Sequence, residues 1–303
     1  QLLASSGRPF RYYAQPTNLG YDGNVRFCLS AAQGQYVFML GNDDALGGPD
    51  TLQTVAVLLN ELELPDVAFV NCADWASGTV TRKAFGSRVL GSGPETAIRY
   101  FRSFSFISGC IFKQQAARQH ETDRWDRSVF YQIYLASRIV AAGGRIAGLD
   151  VCAVRSNVRV DDAIVPTMYT VRWANAGWSW QPRHTGLDSV IRVTADAIVP
   201  FVPGERRSAT LRQIIGQALT ISYPYWLLEY RRVANWSFAV GIARDMWPRK
   251  LLAEYALGFV DRISLWGLYL AATTAGLIIP NRLFSMVRSR LAAFVRRIRQ
   301  KSG

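Results

Sequence analysis

Histidine is almost missing from this chain: His120 and His184 are the only two, and each stands alone in a polar stretch. A solvated surface role accounts for both better than catalysis does. Cysteine is nearly as scarce. Cys28, Cys72, Cys110 and Cys152 lie about forty residues apart, with no CxxC pair and no neighbouring histidine, so no metal framework is implied. They read as buried, reduced core residues that suit the cytosol. Nothing at the N-terminus resembles a secretory signal. The chain starts at Gln1 rather than Met and its apolar pattern begins almost at once, so it reads as cut from something longer. No internal repeat and no DNA- or RNA-binding motif is present.

What the chain does have is apolar mass. Half of its 303 residues are hydrophobic, 12% are aromatic and only 19% are charged, which excludes a disordered chain and provides a sizeable core. The length suggests one large domain with an appendage. Charge is placed unevenly. Of the net +13, residues 205–303 hold +11, with 16 basic and 5 acidic groups. A one-sided cationic excess points to a polyanionic partner, either nucleic acid or an anionic membrane surface.

The order of elements indicates an α/β fold. A short aromatic strand is expected at Phe10–Ala14, then a turn at Pro16, Asn18 and Gly20, and a helix capped by Asn24 that runs to about Ala32. The uninterrupted apolar run from Tyr36 to Leu40 is expected as a strand buried on both faces of a mostly parallel sheet. Further helices are expected from Asp50, from Pro94 and over Arg127–Ala142, with strands at Val67–Cys72, Ser105–Phe112 and Arg145–Val154. Beyond Arg155 prolines and glycines loosen the pattern. The expected division is 1–155 for an α/β domain, 156–204 for a linker or extension, and 205–303 for a basic helical region.

The chemistry is expected where the most apolar strand ends, at Gly41-Asn42-Asp43-Asp44, because ligands of open α/β sheets bind beyond the carboxyl ends of strands. Two carboxylates there suit Mg²⁺ or Mn²⁺ bridging to a diphosphate, with Asp44 the leading ligand and Asp43 assisting. An ordinary Asn-Asp turn would have the same sequence.

Asn18-Leu19-Gly20, Asn24, Ala32, Gly34, Tyr36 and a strand ending in Asp-Asp, followed by Ser108-Gly109-Cys110-Ile111-Phe112, resemble the central signature of family 2 glycosyltransferases. The resemblance covers about residues 10–150. It implies a Rossmann-like GT-A fold, incomplete at its N-terminus, a nucleotide-sugar donor faced by Asn18, Gly20, Asn24 and Asp43, and a divalent cation on Asp43 and Asp44. In the family about sixty residues precede the Asn18 motif and help to read the nucleotide base; that segment is absent from this sequence. Gly41 stands where the family usually has an aspartate. The family's Glu-Asp pair registers at Tyr131 and Gln132, and Gln132 cannot act as a base. Asp126 and Asp123 are then the nearest carboxylates to accept a proton from an acceptor hydroxyl, although acidic residues are also ordinary ahead of a helix. Gln132 could instead bond the acceptor. Trp75 could stack on a sugar, with plain packing the commoner role.

Residues 263–281 are uncharged and would span roughly 26 to 28 Å as a helix. A single crossing would put the catalytic half on the side away from cytosolic nucleotide sugars, so a re-entrant or in-plane segment is expected. Phe284, Val287, Leu291, Phe294 and Ile298 then recur at steps of three and four between arginines, the pattern of a cationic amphipathic helix. Together with Trp226, Tyr230, Trp236, Trp247 and Trp266 this favours lipid over nucleic acid. The expected protein passes a sugar to a lipid-linked glycan or polyprenyl-phosphate acceptor at the cytoplasmic face of the membrane. The competing expectation is a degenerate GT-A module that only binds membrane or partners.

Overall fold

The structure, a computed structural model, describes residues 10–160, 163–164, 187–233, 236–280 and 282–283. The first elements are α1 (Gly20–Ala31), β1 (Tyr36–Phe38), β2 (Ala45–Leu46), α2 (Thr51–Glu61), β3 (Val67–Asp74), β4 (Val80–Thr81), β5 (Arg88–Gly91) and α3 (Gly93–Tyr100). They are followed by β6 (Cys110–Lys113), α4 (Gln114–Gln119), α5 (Tyr131–Ala141), β7 (Ile146–Ser156), β8 (Arg159–Val160) and β9 (Ala163–Ile164). Six helices complete the described chain: α6 (Ser189–Ile198), α7 (Arg207–Gln217), α8 (Tyr223–Val233), α9 (Trp236–Asp245), α10 (Pro248–Ala253) and α11 (Phe259–Ile278).

The sheet runs β1-β6-β3-β7-β2, with β4 attached to β3 and β5 to β7. Among the described strands only β3 and β7 pair in parallel; β6 runs antiparallel to both β1 and β3. This corrects the expectation of a mostly parallel sheet. Its centre matches expectation better. From Val67 to Cys72, β3 is buried throughout, because the sheet is covered on both faces. Val67 and Phe69 face one core with Phe112 and Ile146, while Ala68 and Val70 face another with Val55 and Leu59 of α2. By contrast β1 is a half-buried edge strand whose ladder partner is β6, not a strand buried on both faces. Apolar composition reported its contact with the core but not its place in the sheet.

Three further expectations need correction. Phe10–Ala14 forms no strand; no described neighbour offers it a ladder, and Tyr12 is 80% exposed. The strand expected over Ser105–Phe112 shortens to Cys110–Lys113, because Phe101–Phe104 turn as a 3₁₀ helix and Gly109 takes φ +83°. Helix α1 begins before Asn24: the Asn18 side-chain oxygen accepts the Gly20 N–H at 2.8 Å and satisfies a donor at the helix start.

Helix α5 is the hub. Ile133, Leu135, Ala136, Ile139 and Val140 are buried between the sheet's α1 and α3 side and α6. Full burial of each of the Ile, Leu and Val side chains stabilises by roughly 1.5 to 3 kcal/mol. The same continuous core reaches through Ile191, Ile214, Leu219, Tyr223, Phe238 and Ile242 to Leu265 and Tyr269. Helices after residue 205 are therefore packed onto the α/β half. Among the described residues no helix is long and apolar enough to cross a membrane. The amphipathic pattern from Phe284 to Ile298, His184 and about half of the expected linker lie outside the described residues.

Candidate active site

Because β6 is antiparallel to both its neighbours and β3 is parallel to β7, strands β1, β3 and β7 all point the same way. Their carboxyl ends share one edge of the sheet. The chain leaving β1 crosses that edge to reach β2, which pairs with Val154 and Arg155 at the end of β7. Asp43 and Asp44 lie on this crossing, at the position where open α/β sheets present ligands.

A hydrogen-bond relay through Ser108 holds Asp44. Its Oδ2 accepts the Ser108 hydroxyl at 2.5 Å, and the Ser108 Oγ in turn accepts the Gly41 N–H at 2.8 Å. Ser108 is itself 1% exposed and set by Gly109, whose N–H donates to the Met39 carbonyl at 2.9 Å. Only glycine suits position 109: φ is positive, and a Cβ would lie 2.4 Å from Val70 Cγ2. Gly41 is equally informative. A Cβ there would meet Asp43 Oδ1 at 3.0 Å, Ser108 Oγ at 3.2 Å and Asp44 Oδ2 at 3.3 Å. Three oxygens from separate residues thus converge on one small space. The resemblance registers an aspartate at position 41; here the missing side chain leaves room for that convergence.

Burial raises the Asp44 pKa above its ordinary 3.8, and the Asp43 charge adds to the rise. The Ser108 bond and a backbone bond from Asn157 oppose it. Asn157 stands at φ +57°, with its side chain donating to Asp74 Oδ2 at 2.7 Å, and the Val158 N–H reaches the Asp43 carbonyl at 3.2 Å. Bonds from Asn157 and Ser77 hold Asp74 below the usual carboxylate range. Neighbouring Trp75 is 45% exposed, with the Arg155 guanidinium 5.4 Å from its ring centre. Asn157, Asp74 and Arg155 join the site through the ends of β3 and β7. Sequence reading missed them, because strand order was the only signal that could have brought them there.

The other expected residues assemble elsewhere. Asn18, Gly20 and Asn24 line one cleft of about 350 Å³ with Gln15, Pro16, Thr17 and Leu19. Asp126 forms a two-pronged pair with Arg26, Nε to Oδ1 at 3.0 Å and Nη2 to Oδ2 at 2.8 Å, and Arg26 also reaches Glu121. No hydrogen bond or ion pair joins Asp126 to Asp43, Asp44 or Ser108 among the described residues. Gln132 is 2% exposed and its Oε1 is buried without a hydrogen-bond partner. The carboxylate that sequence reading overlooked here is Asp22. It is 1% exposed and accepts the Val129 and Tyr131 N–H groups at 2.8 and 3.1 Å, capping α5. Burial raises its pKa against those bonds. The loop it holds contains Arg127 at φ +75° and Val129 at φ +67°, left-handed values that a β-branched residue rarely adopts.

No group of three or more His, Cys, Asp or Glu side chains that could hold a metal occurs among the described residues. The Asp43–Asp44 pair still fits a hard divalent cation. Mg²⁺ keeps several waters and is commonly bound through one or two carboxylates plus substrate phosphates, and the three atoms nearest to a Cβ at Gly41 are all oxygens.

Fold and site together define a mixed α/β protein with a carboxylate pair at the shared ends of three strands. No protein-family model matches the chain, and the search of curated proteins finds no significant match. Among solved structures it is similar to S. aureus TarS residues 1–349, with TM-score 0.49, 12% identity, and 87% of this chain and 70% of that chain covered. The same TarS fragment in complex with UDP-GlcNAc is similar at TM-score 0.47 and 12% identity, with coverage of 82% and 67%. A likeness of this degree assigns no function by itself.

Proposed function

We propose that this chain carries the catalytic core of a glycosyltransferase, taking a sugar from a nucleotide-sugar donor in the presence of Mg²⁺ or Mn²⁺. The observation that carries the reading is the convergence of Asp43 Oδ1, Asp44 Oδ2 and Ser108 Oγ beside Gly41, at the carboxyl ends of β1, β3 and β7. A cation held by Asp43 and Asp44 would neutralise charge developing on a departing nucleoside diphosphate. Ser108 orients Asp44 and, by donating to it, favours the ionised form that a metal needs. Asn157 and the Val158 N–H hold the loop against the pair.

Transfer with inversion needs a base at the acceptor hydroxyl. Asp126 is the proposed base, and Arg26 must release it before it can take a proton. Gln132 is too deeply buried to meet an acceptor without a movement of α5. The proposed acceptor is a lipid-linked glycan or polyprenyl phosphate at the cytoplasmic face of a membrane. The outer face of α11 supports this placement: Phe259, Val260, Ile263, Leu270 and Ile278 are all more than half exposed.

A second reading, a module that binds the donor without turnover, is favoured by the Arg26–Asp126 pair and the burial of Gln132. Release of nucleoside diphosphate from a panel of nucleotide sugars separates the two. UDP-GlcNAc, the ligand of the TarS complex, is the first donor to test. Metal-dependent release from one donor, abolished by EDTA, is expected; binding without release would select the second reading, and neither would end both.

A further inference from the structure

A cavity of about 970 Å³ lies away from the carboxylate pair. It opens between the segment leading into β5, helix α3 and the 3₁₀ turn after it on one side, and α7 on the other. Lys83, Arg88, Arg99, Arg102 and Arg206 line it, and Glu95 is its only carboxylate. Glu95 is engaged by Arg206 at 2.6 Å. The rest of the polar lining consists of hydroxyls and amides, which can donate as well as accept, among them the buried Ser103 and Thr210 hydroxyls and the Gln217 amide. Gln217 Oε1 is buried without a partner, so the amide can turn its NH₂ into the cavity at no cost in lost bonds.

Like charges gathered around one concavity repel one another unless an anion shares the space, and water-filled clefts lined by one sign of charge concentrate the opposite sign. Guanidinium groups present paired donors that match phosphate oxygens. The volume is at the upper end of the range for small-ligand sites, large enough for more than a single phosphate. At one end the Lys83 amine lies 5.3 Å from the Phe106 ring centre, and Phe106 is two residues from Ser108, which holds Asp44. One lining residue, Lys83, thus reaches the segment that carries Ser108.

We propose that this cavity is an anion site that seats a ligand bearing several phosphate groups. Such phosphates could come from the nucleotide donor or from a phosphodiester-containing acceptor, and the two sources are separable. Inorganic tripolyphosphate is titrated into the full chain by calorimetry in EDTA, so that metal held at Asp43 and Asp44 makes no contribution. Saturable binding that weakens as salt rises is expected. The double variant Arg88→Gln/Arg99→Gln, both residues being exposed, should weaken it at least tenfold, and Glu95→Gln should tighten it several-fold. Arg249→Gln, a charge loss outside the lining, should leave it unchanged. Displacement of tripolyphosphate by a nucleotide sugar in EDTA would assign the cavity to donor phosphates, and its absence would assign it to the acceptor. No binding, or equal weakening by Arg249→Gln and the double variant, overturns the proposal. If donor turnover fails while this binding holds, only the glycosyltransferase reading falls.

Discussion

Ser108 and Asp44, 64 residues apart in sequence, are joined by a 2.5 Å hydrogen bond that ties the turn before β6 to the carboxylates after β1. Ser108→Ala should remove the donor, raise the Asp44 pKa further and weaken Mn²⁺ binding at least tenfold, in line with roughly 1.5 to 3 kcal/mol for a bond to a charged group. The thermal midpoint at neutral pH should fall as well, because the Gly41 N–H loses its acceptor. A change in stability without a change in metal affinity would show that Ser108 serves the fold alone.

Asp44 itself should trade stability for function. Its folded pKa is raised above 3.8, so the folded chain binds this proton more tightly than the unfolded chain does. The associated stability is full below 3.8 and is lost as pH rises through the folded value. Asp44→Asn should therefore melt higher than the parent at about pH 7, with the advantage shrinking toward pH 4. Thermal melts across that range check the sign, and an unchanged or lower midpoint at neutral pH would contradict it.

Gly41→Ala tests the convergence directly. The added methyl would sit 3.0 to 3.3 Å from three oxygens, closer than they can comfortably tolerate, and should spread them apart. Mn²⁺ affinity is expected to fall at least tenfold. Gly109→Ala tests the scaffold instead: positive φ and a contact of 2.4 Å with Val70 should cost about 3 kcal/mol, read as a lowered urea midpoint.

Two local signals were legible: the Asp43-Asp44 pair after an apolar run, and Ser108-Gly109, which the sequence places inside a strand expected over Ser105–Phe112 rather than in the turn before Cys110–Lys113. The structure joins them through Ser108. The sheet's pairing was less legible. Tyr36 to Leu40 reads as apolar whether it lies at the centre or the edge, since its composition reflects contact with the core rather than the number of ladder partners. Asp22 was overlooked because a carboxylate inside a helix pattern looks solvated until α5 is placed against it. The C-terminal half read as helical, and it is helical through α11. Its packing onto the α/β core was hidden because an apolar stripe has the same periodicity whether it faces protein or lipid.

The exposed face of α11 offers its own test. Ile263 and Leu270 are 55% and 53% exposed on an otherwise uncharged stretch. The double variant Ile263→Glu/Leu270→Glu should leave the fold intact and reduce flotation with anionic liposomes several-fold. Flotation equal to that of the parent would remove this face from the proposed membrane contact.

The central claim is that Asp43 and Asp44 together hold the divalent cation that serves a nucleotide-sugar donor. Electron paramagnetic resonance of Mn²⁺ titrated into the chain, with and without UDP-GlcNAc, measures this most directly. Saturable Mn²⁺ binding that tightens when the donor is added and disappears in Asp44→Asn is expected. Undiminished binding in Asp44→Asn, or a site indifferent to every nucleotide sugar tried, would contradict it.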